Sequence, residues 1–147
     1  MRSIFSRLAR AAAFGAAAFA ILMCLAVPAP ALQDADIMGK WIFLWEGAMD
    51  NYTGTLNVTR KTGNSVFRGS LIVRPATGGT IEEDATITVT GNDVQIECSN
   101  PRHVPPKNPE TWNADHFFLN IVGQRMEGYT VDSGGARGSN IKFKRGG

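Results

Sequence analysis

Between residues 40 and 144, short runs in which apolar and polar side chains alternate recur, separated by clusters of Gly, Asn, Asp and Pro. A period of two marks strands with one buried face. No part of this region keeps the i, i+3, i+4 apolar spacing of an amphipathic helix beyond about a turn or two. Residues 40–45, "KWIFLW", form the first predicted strand, and their almost unbroken apolar character predicts cover on both faces. In residues 53–60, Leu56 and Val58 alternate with Asn57 and Thr59, before "KTGN" turns the chain at 61–64. Residues 66–74 place Phe67, Leu71 and Val73 on one face, with Gly69 leaving room there for a bend or a bulky neighbour, and Pro75 ends the run.

Further along, residues 85–90 put Ala85, Ile87 and Val89 inward, and Gly91, Asn92 and Asp93 join them to 94–99, where Val94, Ile96 and Cys98 point inward. That is a hairpin. Residues 116–122 and 125–131, around Gly123 and Gln124, make a second of the same design, and a last strand at 140–144 follows "DSGGARG". About eight strands with tight turns and no room for crossover helices predict an all-β antiparallel meander. Closure into a barrel removes both exposed edges. A β-sandwich is the alternative, but the chain has no Cys-Trp-Cys framework and no long Greek-key return. The exception to the regular spacing is residues 100–115, "NPRHVPPKNPETWNAD", whose four prolines exclude a strand or helix interior. A long irregular loop in a small domain is a candidate lid or partner-binding element, or Trp112 in it plugs one end of the barrel.

The N-terminal residues change the charge and the compartment. Arg2, Arg7 and Arg10 precede an Ala-rich apolar run that Pro28 and Pro30 interrupt, with the small triplet Ala29-Pro30-Ala31 at its end. This is the pattern of a secretory signal peptide over residues 1–31 rather than of a transmembrane anchor. Cys24 follows Met23, where lipoprotein processing needs a small residue. Removal of the signal leaves one domain, residues 32–147, exported to the periplasm or beyond. With the three signal arginines gone, 12 basic residues remain against 13 acidic ones, a net charge of −1 in place of +2. No nucleic-acid footprint survives. Cys98 is then the one cysteine left, so no intrachain disulfide forms and packing alone carries the fold.

Candidate chemistry is sparse. Cys98 shares the inward register of Val94 and Ile96 and reads as a small buried hydrophobe rather than a nucleophile. His103 and His116 lack the companion ligands of a metal site, and no cofactor is implied. Glu82, Glu83 and Asp84 sit beside a Gly-Gly turn and read as a solvated strand end rather than as an acid and base pair. The glycines of "DSGGARG" precede a strand, not a helix, so they form a hairpin turn and not a phosphate cradle.

Gly39-Lys40-Trp41 at the head of the first of about eight strands resembles the opening of the lipocalin and avidin-like group of small exported barrels. In that group the Trp closes the barrel floor and a late basic residue lies across it, which here implies Trp41 with Arg145, or failing it Lys144. The chain departs from the lipocalin pattern in its shortness and in lacking the Thr-Asp-Tyr turn and the C-terminal helix. Periplasmic metalloprotease inhibitors are similar in size and start, yet carry a disulfide that a single Cys98 cannot make. The resemblance implies a non-enzymatic barrel holding a small apolar or amphipathic ligand in its mouth, lined by Trp45, Tyr52, Trp112, and Phe117 or Phe118. The alternative is a protein-binding module, such as an inhibitor, acting through residues 100–115 or the free stretch "LQDADIM". A filled interior favours the alternative, and an enzyme regains ground if His116 meets an acid in a concave pocket.

Overall fold

Eight strands follow one another around a closed ring in chain order, each antiparallel to the next. The structure, a computed structural model, describes residues 32–46, 51–76, 78–104 and 111–147. Residues 1–31, expected to be a signal peptide, and the prolines at 105, 106 and 109 lie outside the described residues. The strands are β1 (Gly39–Glu46), β2 (Asn51–Gly63), β3 (Val66–Arg74), β4 (Thr80–Thr90), β5 (Asp93–Val104), β6 (Asp115–Val122), β7 (Arg125–Asp132) and β8 (Arg137–Arg145). Closure is made by β1 on β8, in register from Trp41 opposite Arg145 to Trp45 opposite Ile141. Among the described residues, no helix is long and apolar enough to cross a membrane.

Alternation fixes which side chains fill the cylinder. Phe43, Phe117 and Phe143 meet near its centre, with ring centroids 5.1 to 5.7 Å apart and two of the three contacts edge-on, the arrangement ring quadrupoles favour. Leu56, Leu71, Ile87, Ile96, Ile121 and Met126 are fully buried around them. The middle of the barrel is therefore packed. The outer face of β1 is not covered, contrary to what its composition predicts: Ile42 is 42 % exposed and Leu44 half-buried. On β1 the inward Trp41 and Phe43 are the side chains buried in the core.

The two ends differ. At the floor, tight turns at Asn64 and Ser65, Gly91 and Asn92, and Gly123 and Gln124 join β2 to β3, β4 to β5 and β6 to β7. There the stretch expected to be free folds into a single helical turn, α1 (Asp34–Ile37), with Ile37 buried under the barrel. Trp41 is fully buried and its Nε1 donates to the Ile37 carbonyl at 2.9 Å. The Arg145 guanidinium carbon sits 5.0 Å from the Trp41 ring centroid, and its nitrogens donate to the Asp36 and Ala35 carbonyls at 3.0 and 2.9 Å. An indole, a guanidinium and the α1 carbonyls thus close this end together. Lys61 adds an exposed ion pair to Asp34 at 2.8 Å.

Close strand crossing explains Gly69. A Cβ there would lie 2.0 Å from the Asn57 carbonyl oxygen, so backbone, not a bulky side chain, fills the space. Several strands run longer than the sequence pattern predicts, β4 from Thr80 and β8 from Arg137 among them, and the end of β5 departs for a specific reason. β5 runs through Pro101 to Val104, because a bulge sets Glu82 and Asp84 on β4 opposite Arg102 and Ser99 on β5. Asn100 takes φ 53° inside that bulge, and Pro101 occupies a position that owes the ladder no N–H.

Candidate functional site

At the end opposite α1, β1 closes and β2 opens with the cross-strand pair Trp45 and Tyr52, stacked at 4.6 Å and 17°. Directly opposed side chains on neighbouring strands are the closest contacts a sheet offers. The Trp45 indole lies against Gly138 of β8, where a Cβ would come within 2.6 Å of the ring. Trp112, in the segment leading into β6, adds a third ring 5.9 Å from Tyr52 and tilted by 59°. These rings and, from β6 and β7, Asp115, Thr130 and Asp132 line a cleft of about 220 Å³ at the barrel mouth.

Beneath the rings lies a buried acid. Glu83 is 0 % exposed on the inward face of β4, and neither carboxyl oxygen has a hydrogen-bond partner. Burial, and next the charge of Asp115, push its pKa up to about 8. The Asp115 backbone N–H, the Cys98 thiol and the Trp112 indole N–H face it and draw the value part of the way back, without closing a hydrogen bond of normal geometry. Asp115, 8 % exposed, is raised to about 7 by burial; the Thr130 hydroxyl, 3.4 Å from Oδ1, opposes the shift, and Asp132 adds to it. Cys98 is a free buried thiol whose pKa burial pushes well up, followed by the charges of Glu83 and Asp115.

Alternation along β4 turns Glu83 inward, in step with Ile81 and Ala85. Its neighbours Glu82 and Asp84 point outward to Arg102, whose Nη2 is 3.7 Å from Glu82 and 2.9 Å from Asp84. Asn100 donates to Asp84 at 2.9 Å, and the Arg102 and Asn100 hydrogen bonds hold the Asp84 carboxyl below its usual range. The three acids predicted as one solvated group are therefore split, because strand alternation sends the middle one to the other side. His103, opposite the inward Ile81, also ends at the mouth, and its buried Nδ1 has no partner. Trp112 Nε1 is likewise buried and unpaired. Among the described residues, every buried side-chain polar atom without a partner belongs to Glu83, His103 or Trp112, all at this one end.

Trp45, Tyr52 and Trp112 come together at the mouth. Phe117 does not join them: it is 1 % exposed in the central packing. Phe118 points to the outer wall, where it stacks on Tyr129 at 5.1 Å, since consecutive strand residues face opposite sides. Trp41 and Arg145 are at the far end. His116 faces outward from β6 and meets no inward acid, while its neighbour Asp115 takes the buried position. Glu83, Asp115, Thr130, His103 and Gly138 escape the sequence reading, although alternation read back from Ala85 and from Phe117 reaches Glu83 and Asp115. Among the described residues, no three His, Cys, Asp or Glu side chains gather into a metal-holding group. A wider depression of about 510 Å³ lies outside the barrel over Ile42 and Leu44, but no orphaned buried polar atom opens onto it.

No protein-family model and no curated protein matches the chain. Among solved structures, a similar chain is a de novo designed fluorescence-activating β-barrel, 17 % identical, with a TM-score of 0.57 over 78 % of this chain and 100 % of its own. Likeness at that identity speaks for architecture alone: the chain is a closed, eight-stranded, all-antiparallel meander barrel.

Proposed function

We propose that this chain is an exported, non-enzymatic barrel that holds a small amphipathic ligand in its mouth. One observation carries the reading: among the described residues the unpaired buried polar atoms belong to Glu83, His103 and Trp112, all at the mouth end, where Trp112 lines the aromatic-walled cleft and Glu83 lies behind Asp115. Buried polar groups are ordinarily paired, so a cluster of orphans beside a cleft is what a ligand with matching groups completes. The designed barrel of the same architecture is described as fluorescence-activating, which supports this fold as a ligand holder. The calycin-type resemblance gains support from Arg145 lying over Trp41 behind Gly39. Export rests on Arg2, Arg7 and Arg10 ahead of the apolar run that ends at Ala29-Pro30-Ala31.

A protein-binding module, such as a periplasmic protease inhibitor, is the second reading. The packed barrel centre favours it, since the interior offers a ligand no deep cup. Native mass spectrometry of the protein isolated from its own host separates the two. The expected result is a chain beginning at Leu32 with a co-purifying small molecule. A complex with a second protein and an empty mouth would overturn the ligand reading.

A further inference from the structure

The cleft is acidic and aromatic at once. Asp115 and Asp132 line it, and Glu83 lies behind Asp115. Arg137 is the one basic side chain among the described lining residues, and its guanidinium sits over the Tyr129 ring at 5.1 Å. Asp132 is already engaged: its carboxylate accepts the Ala136 N–H at 2.8 Å and the Asn113 amide at 3.4 Å. Asp115 and Glu83 retain capacity. Among the described residues Asp115 has only the long Thr130 contact, whose hydroxyl is closer to the His116 carbonyl at 3.0 Å, and the donors facing Glu83 close no hydrogen bond of normal geometry on either oxygen.

What such a pair lacks is a well-formed hydrogen bond and positive charge. An ammonium group brings several N–H donors and a full charge; an alcohol brings one donor, and a carboxylate none. The faces of Trp45, Tyr52 and Trp112 attract both a cation and an apolar body. We propose that the mouth ligand is a small organic amine in its ammonium form, seated on Asp115 with Glu83 behind it as the second acid and its apolar part against the three rings. The proposal rests on the mouth-binding reading. A cleft of about 220 Å³ falls below the roughly 300–1,000 Å³ of pockets for drug-sized ligands, which restricts the occupant to about the size of a phenylethylamine.

Binding of a cation is linked to protons. In the free protein both carboxyls are mostly protonated at pH 6: Glu83, raised to about 8, faces Asp115, Cys98 and Trp112, and Asp115, raised to about 7, faces Thr130 and Asp132, with Arg137 also lining the cleft. A cation at Asp115 favours the ionised forms, so protons pass to the buffer on binding and affinity rises with pH, by about tenfold per unit for each proton expelled.

Isothermal titration of the exported protein with 2-phenylethylamine, 2-phenylethanol and 3-phenylpropionate, at pH 6 and pH 8, tests the assignment. The amine should bind at least about tenfold tighter at pH 8 than at pH 6 and about tenfold tighter than the alcohol, with no detectable binding of the carboxylate. In Asp115→Asn the amine should lose its advantage over the alcohol, and in Glu83→Gln the pH dependence should shrink. If either variant fails to fold, the comparison of probes and pH values on the parent protein still decides. Equal affinity for amine and alcohol, independent of pH, would overturn the cation while leaving mouth binding in place. Binding of none of the three would overturn both.

Discussion

Replacing Glu83 by Gln keeps the shape of the protonated acid and removes its ability to ionise. In the folded chain the carboxyl titrates near 8 instead of near its ordinary 4.5. A raised acid pKa means that, between those values, the unfolded chain gives up a proton that the fold retains. Stability is then complete below pH 4.5, falls as pH rises, and levels off above about 8. Each unit of pH in that window removes about 1.4 kcal/mol, so the parent loses ~3 kcal/mol by pH 7 and ~4–5 kcal/mol by pH 8.5 relative to pH 4.5. Glu83→Gln escapes the loss and should match the parent at pH 4.5 while exceeding it by ~3 kcal/mol at pH 7. Asp115 adds its own slope to both proteins, and because its charge is part of the Glu83 shift the difference reports Glu83 together with its coupling to Asp115. Urea unfolding of the pair at pH 4.5, 7 and 8.5, analysed by linear extrapolation, reads this directly. Parallel stability curves over the whole range would refute the reasoning, since they would mean that Glu83 is hydrated or paired in the folded state.

Two further substitutions probe the opposite ends of the barrel. Trp41→Ala removes a fully buried indole that also donates to Ile37 and carries Arg145, and should lower stability by ~3–5 kcal/mol in the same assay; an unchanged midpoint would show that Trp41 is not part of the core. Gly138→Ala places a methyl 2.6 Å from the Trp45 indole and should displace that ring from Tyr52, seen as a lost exciton signal in near-ultraviolet circular dichroism, with a stability loss of about 1–3 kcal/mol.

Most of the architecture was legible because closure needs only alternation and turns. Leu56 with Val58, Ala85 with Ile87, and Val94 with Ile96 and Cys98 declare their inward faces, and the floor pair of Trp41 and Arg145 follows from the Gly39-x-Trp41 opening. The site was less legible, for physical reasons. Glu83 sits between two acids that face water, so composition hides it, whereas extending the parity of Ala85 by one step exposes it. Phe117 and Phe118 are chemically alike, and only the parity of Leu119 and Ile121 assigns one to the core and the other to the outer wall. Pro101 looks like a strand terminator until the bulge opposite Glu83 gives it a place without a ladder bond. The partnership of Gly138 with Trp45 spans the β1 and β8 seam, which local sequence does not encode.

The account turns on the mouth being where a small molecule binds. The most direct measurement is a proton–nitrogen correlation NMR titration of the labelled protein with 2-phenylethylamine at pH 8, following the three indole N–H signals. With the ligand in the mouth, the Trp45 and Trp112 indoles and the Asp115 amide move with one saturating curve while the Trp41 indole, hydrogen-bonded to Ile37 at the floor, stays in place. Movement confined to the floor or to the outer wall around Ile42 and Leu44, or no movement at all, would contradict it.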